Sequence, residues 1–197
     1  MAVVLVDGVP AEVKDAALAY LVVVLENRSD SRVEEDVTEL GEMVVELGAL
    51  DLYVLPTASG AALIEAREKA FWTAKAMNAN DIIDVVVPRA SIPEYLSTCQ
   101  EIAQATGSLV VGCGHAGDGN VHLSVFQPDP DKLTEVVGGI LAAGTALGGA
   151  VSGEHGIGTA KKKYLAATED PAKLELMRRI KSSFDPAGIL NPGVIFD

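Results

Sequence analysis

The sequence predicts an α+β domain, an antiparallel sheet with helices packed on one face, built from ferredoxin-like split β-α-β units. Three observations lead there. Short β-branched runs alternate with stretches of helical periodicity along the chain. Leu109 to Val111 and Val121 to Phe126 are separated by a glycine-rich, hairpin-like stretch that a purely parallel sheet would not contain. No linker or low-complexity segment divides the 197 residues, so one domain is expected over 1–197.

Tyr20 to Glu26 reads as the first strand because it is rich in valine and leucine. Ser29-Asp30 offers an N-cap, and Val33, Val37, Leu40, Val44 and Leu47 recur at helical spacing until Gly48. Leu52 to Leu55 reads as a short second strand. Thr57 to Gly60 opens a long helix with Leu63, Ala70, Phe71 and Ala74 on one face, ending near Asn78. Trp72 in that helix is expected to pack in or at the rim of the core. Ile82 to Val87 is the third strand, closed by Pro88.

Ser91-Ile92-Pro93-Glu94 has the form of a capped helix start with proline in its first turn, and Gly107 ends that helix. Leu109 to Val111 then leads into Gly112-Cys113-Gly114-His115-Ala116-Gly117-Asp118-Gly119-Asn120-Val121-His122. Val121 to Phe126 leaves it with His122, Ser124 and Phe126 on one face. Pro128 to Asp131 caps a helix from about Lys132 to Leu147, Ala150-Val151 is a brief strand, and Asp170-Pro171 starts a last helix to Phe184. Asp185 to Gly193 closes as an ordered turn.

Composition narrows the function. A formal charge of −13 leaves no basic stripe to neutralise phosphates, which argues against nucleic acid. The one basic cluster, Lys161-Lys162-Lys163, reads as a solvated helix start. No apolar run approaches the ~18 residues that cross a bilayer, and no basic n-region precedes a cleavage site near Met1. Cys99 and Cys113 stand in neither metal nor redox spacing. A reducing, cytoplasmic setting is the expectation.

All three histidines lie in two glycine-bounded segments, His115 and His122 in the first and His155 in Val151-Ser152-Gly153-Glu154-His155-Gly156-Ile157-Gly158. A Gly-Asp-Gly turn between His115 and His122 is a hairpin signal that could bring two imidazoles to one point. Glu154 would complete a two-histidine, one-carboxylate set suited to zinc or another divalent transition metal. His155 beside it could act as a base. The residues alone also permit surface-loop histidines with glycine for turning. Asp118 reads as a plain turn residue.

Three ordered motifs carry a resemblance. Gly114 to His122, Gly153-Glu154-His155-Gly156-Ile157-Gly158, and Phe184-Asp185-Pro186 to Asn191-Pro192-Gly193 resemble the C-terminal domain of FAD-linked oxidases of the vanillyl-alcohol-oxidase type. That group includes D-lactate dehydrogenases, the flavin subunit of glycolate oxidase and D-2-hydroxyglutarate dehydrogenase. The resemblance implies that His115, His122 and Glu154 ligate a divalent metal, most simply zinc. It implies that His155 takes the hydroxyl proton of a small 2-hydroxy acid as hydride passes to FAD. Asn191 falls where the terminal turn approaches the isoalloxazine, and Asn120 orders the loop or contacts the acid.

Two departures accompany it. The family places an arginine three residues after the tryptophan to hold the substrate carboxylate, and here Trp72 is followed at that distance by Lys75. A lysine offers a point charge without the bidentate fork. Members also carry an N-terminal flavin-binding domain of ~200 residues, which this chain is expected to lack. The expected partner is therefore an FAD-binding domain or subunit. The alternative is a stand-alone, non-catalytic module that binds metal and hydroxy acid or forms a homo-oligomer; a metal hydrolase is a third reading.

Overall fold

The computed structural model describes residues 19–196. They fall into two compact units, 72–196 and 19–71. In the second unit, α1 (Asp30–Glu46) begins at Ser29, whose hydroxyl accepts the Arg32 N–H at 3.4 Å, and α2 spans Thr57–Glu68. The expected strands at 20–26 and 52–55 do not form among the described residues, where neither stretch joins a ladder. Leu21, Val24 and Val54 are 71%, 70% and 68% exposed. Valine and leucine give a propensity for extended backbone, but a strand exists only where a neighbour supplies ladder hydrogen bonds.

The single helix expected from Thr57 to about Asn78 is instead two, because the chain turns at Lys69 before α3 (Ala70–Ala76). Asn78 does end it, with a φ of 63°. Trp72 is 67% exposed and therefore no core residue.

The unit that follows is the split β-α-β fold. β1 (Asp81–Val86) leads through a short 3-10 turn to α4 (Ile92–Thr106), β2 (Leu109–His115), β3 (Asn120–Phe126) and α5 (Pro130–Ala146). The sheet order is β1-β3-β2, and β3 is antiparallel to both neighbours. β1 and β2 therefore run parallel with a slot between them that β3 fills. Ala150 bridges Val86 on the outer side of β1, so the expected brief strand at 150–151 is a single antiparallel bridge. α6 (Lys162–Thr168) and α7 (Pro171–Phe184) complete the unit.

Local chemistry sets the helix ends. Asp129 accepts the N–H groups of Asp131 and Lys132 at 2.9 and 3.2 Å, with Pro130 in the first turn of α5. Asp170 caps α7 in the same way through Ala172 N–H at 2.7 Å. Ser91 precedes α4 but makes no side-chain cap, since its own backbone is already helical. Gly107 ends α4 in the left-handed conformation, φ 65°.

Strand alternation divides the sheet into two faces. Ile83, Val85, Val121, Leu123 and Val125 are buried and meet α4 and α5 through Tyr95, Cys99, Val136, Val137, Ile140 and Leu141. Asp84, Cys113, His122 and Ser124 belong to the opposite set, and the register puts both Asp84 and Cys113 across from His122. Cys99, sealed in the core, has its thiol pushed up to about 11 by burial, slightly offset by Tyr95; it is chemically inert at neutral pH. No helix among the described residues is long and apolar enough to cross a membrane.

β2 is longer than its β-branched run. It continues through Gly112-Cys113-Gly114 to His115, so the connection to β3 is confined to 116–119. A Cβ at Gly112 or Gly114 would run into the backbone oxygens of His122 or Asn120. These glycines serve close strand approach and not a turn.

Ile140 has no exposed surface and is central to the α5–sheet contact. Ile140→Ala is expected to lower unfolding free energy by about 2–5 kcal/mol in urea titrations. Ile180→Ala, at a position 51% exposed, should change it by no more than about 0.5 kcal/mol.

Candidate functional site

The site lies on the sheet face opposite α4 and α5, and alternation in β3 puts it there. Val121 and Leu123 enter the core, so His122 between them faces outward. His115 ends β2 opposite Asn120, which opens β3. The segment after Ala150 then brings Glu154 and His155 over the same face. Gly153 makes this approach possible: a Cβ there would lie 2.7 Å from both Asn120 Nδ2 and Val86 Cγ2.

Three imidazoles and a carboxylate converge. Glu154 Oε1 is 3.2 Å from His122 Nε2, 3.9 Å from His115 Nε2 and 3.8 Å from His155 Nε2. His155 stacks on His122 with ring centroids 4.8 Å apart, and His115 meets His122 edge-on at 5.4 Å. His122 is the most enclosed of the three, with its side chain 13% exposed against 38% and 39% for His115 and His155.

Asp84 joins this group and had no place in the sequence reading. It is 3% exposed. Its Oδ2 accepts the backbone N–H groups of Glu154 and His155, each at 2.7 Å, and the Ser152 hydroxyl at 3.1 Å. Its Oδ1 lies 3.4 Å from His122 Nδ1, out of hydrogen-bond alignment, and both atoms are buried without another hydrogen-bond partner among the described residues. The signal in the sequence was a lone acid inside the apolar run Ile82-Ile83-Asp84-Val85-Val86. Such a residue is buried only if donors meet it.

Electrostatics follow from these contacts. Burial pushes the Asp84 carboxyl upward, but the N–H groups of His155 and Glu154, the Ser152 hydroxyl and the His155 charge outweigh it and hold the acid below its ordinary value. Burial lowers His122 below the usual imidazole value, against the pull of Asp84 and Glu154. A neutral His122 keeps a nitrogen lone pair, the form in which imidazole binds a metal.

The donor set fits a divalent ion. One ligand atom each from His115, His122 and Glu154 lies within 4.8 Å of the others. Separations of 3.2 and 3.9 Å from Glu154 Oε1 bracket the roughly 3.4 Å edge of a tetrahedron with ~2.0–2.1 Å bonds. Two nitrogens and one carboxylate oxygen match the open two-histidine, one-acid pattern. Asp84, His122 and His155 make a second trio within the same span. Its Asp84 Oδ2 is already taken by three donors.

The other sequence candidates fall elsewhere. Asn120 is 6% exposed beneath Gly153, with its Oδ1 buried and lacking a hydrogen-bond partner among the described residues. Lys75 is exposed in the last turn of α3. Asn191 is exposed in the terminal turn with a φ of 47°. That turn is tied back to α7 by Asp185, which accepts the N–H groups of Ile189 and Leu190 at 3.0 Å and pairs with Lys181. Ile189 and Leu190 beside Asn191 are 74% and 53% exposed.

Comparison with known proteins identifies the family. Residues 1–195 match the family described as FAD linked oxidases, C-terminal domain. An FAD-linked oxidoreductase of Mycobacterium tuberculosis is 58% identical over 189 residues, covering 96% of this chain and 41% of the relative. A D-lactate dehydrogenase of Anaerostipes hadrus is 33% identical over 192 residues, 90% of this chain and 39% of the relative. A glycolate oxidase subunit of Escherichia coli is 31% identical over 179 residues, 83% of this chain and 34% of the relative. The chain thus spans about two fifths or less of the length of these relatives. With a family match over nearly every residue, this chain belongs to the FAD linked oxidases, as their C-terminal domain.

Proposed function

We propose that this chain is the substrate- and metal-binding part of a flavin-dependent 2-hydroxy-acid dehydrogenase or oxidase, of the D-lactate, glycolate or D-2-hydroxyglutarate type. FAD is held mainly by a domain or subunit outside it. The observation that carries the reading is the meeting of His115, His122 and Glu154, with His155 Nε2 only 3.8 Å from the same carboxylate oxygen.

His115, His122 and Glu154 hold the divalent ion, most simply zinc. Such an ion, when bound, makes a coordinated hydroxyl more acidic. FAD, when bound, supplies the two-electron acceptor for the hydride that leaves C2. The rest falls to this chain. His155 takes the C2 hydroxyl proton on Nε2, so that proton and hydride together convert the alcohol to a carbonyl. Asn120, buried beneath Gly153, orders the loop between the two histidine ligands. Lys75 pairs with the carboxylate as a point charge. Asn191 would meet the flavin when it is bound, and the exposed Ile189 and Leu190 beside it would exclude water there.

The test is flavin reduction in the complete enzyme, followed spectroscopically with D-lactate, glycolate and D-2-hydroxyglutarate. Failure of every 2-hydroxy acid to bleach the flavin would discard the reading. His122→Ala should lose bound metal, measured by elemental analysis; retained stoichiometry would remove His122 from the ligand set. His155→Ala should leave substrate binding nearly unchanged and slow flavin reduction by roughly 10²–10⁴-fold. Lys75→Met should raise KM about tenfold or more, with kcat nearly held.

A further inference from the structure

We infer that Asp84 is the positioning residue of this site, fixing the Glu154–His155 backbone and the proton of the His122 imidazole through one buried carboxylate. The inference rests on the metal reading of His115, His122 and Glu154, and concerns what makes that set competent.

Each oxygen of Asp84 has its own task. Oδ2 gathers the N–H groups of Glu154 and His155 at 2.7 Å and the Ser152 hydroxyl at 3.1 Å. Ser152 Oγ in turn accepts the Gly156 N–H at 2.7 Å, so the turn from 152 to 156 is pinned to β1 as a unit. The side chains of Glu154 and His155 inherit their placement from it.

Oδ1 faces the ring of His122 at 3.4 Å from Nδ1. An ionised carboxylate accepts hydrogen bonds and donates none. The only proton that can lie between Oδ1 and Nδ1 is therefore the imidazole's own. With the proton on Nδ1, the lone pair is on Nε2, the nitrogen 3.2 Å from Glu154 Oε1. Glu154 competes for the same proton, but its side chain is 53% exposed and water can satisfy it, whereas Asp84 Oδ1 and His122 Nδ1 are buried and, among the described residues, have only each other. Hydrogen bonding of the distal nitrogen commonly fixes the tautomer of a ligating histidine.

The same geometry argues against Asp84 as a ligand in its own right. Oδ2 is occupied, and coordination through Oδ1 would leave His122 Nδ1 buried beside it without an acceptor.

Asp84→Asn separates these roles sharply. The amide can keep its oxygen toward the Glu154 and His155 N–H groups, and it then turns an NH₂ donor toward His122 Nδ1. That should reverse the tautomer and put the proton on Nε2. The measurement is long-range ¹H–¹⁵N NMR of the ¹⁵N-histidine-labelled full chain stripped of metal, in which only three imidazoles contribute. Wild type should show His122 protonated on Nδ1, and Asp84→Asn should show it on Nε2. In zinc titrations against a competing chelator, Asp84→Asn should bind roughly 10–100-fold more weakly.

An Nε2–H tautomer in the wild-type chain would overturn the proposal. So would wild-type zinc affinity in a folded Asp84→Asn. If Asp84→Asn does not fold, the wild-type tautomer still decides. A wild-type chain that binds no zinc would sink the metal reading alone, since the tautomer of His122 is read without metal.

Discussion

The site depends on β3 being paired along both edges. A strand held between two neighbours cannot slip by one residue without exchanging its faces. Here such a slip would turn Val121, Leu123 and Val125 outward and drive His122 into the core against Tyr95 and Ile140. Hydrophobic burial on one side thereby enforces the orientation of polar groups on the other. Packing and chemistry are two readings of one alternation.

That arrangement also explains how a strongly acidic chain keeps a carboxylate inside. Asp84 is buried in a protein of net charge −13, where an unpaired charge would be costly. Its compensation comes mainly from the backbone N–H groups of Glu154 and His155 and the Ser152 hydroxyl, with the His155 charge adding to them. The available lysine, Lys161, is engaged at the start of β1, pairing with Asp81 at 2.8 Å and donating to the Ile82 carbonyl. The cluster itself is made of imidazoles and acids.

Much of this was legible in the residues. The hairpin, the split β-α-β plan and the caps at Asp129 and Asp170 follow from short-range chemistry visible along the chain, while the grouping of Glu154 with His115 and His122 rests on residue type and on the resemblance. What stayed hidden was relational. Gly112 and Gly114 look like turn residues until the neighbouring strand is present to crowd them. Tyr20 to Glu26 has a strand's composition, yet composition names no partner. Trp72 is large and apolar and still exposed. Asp84 was passed over because its donors, at 152, 154 and 155, are about 70 residues away, beyond any window in which periodicity or motif is read.

That separation has a kinetic side. The β2–β3 hairpin closes over a four-residue connection, whereas β1 must find β3 across the whole of α4. The Asp84–His155 bond closes a span of 71 residues. Loop-closure entropy rises with span, by about 0.6 kcal/mol per doubling, so local contacts form at least cost and distant ones draw on surface already buried. Of these closures, the one that places Glu154 and His155 spans the most chain and so costs the most entropy.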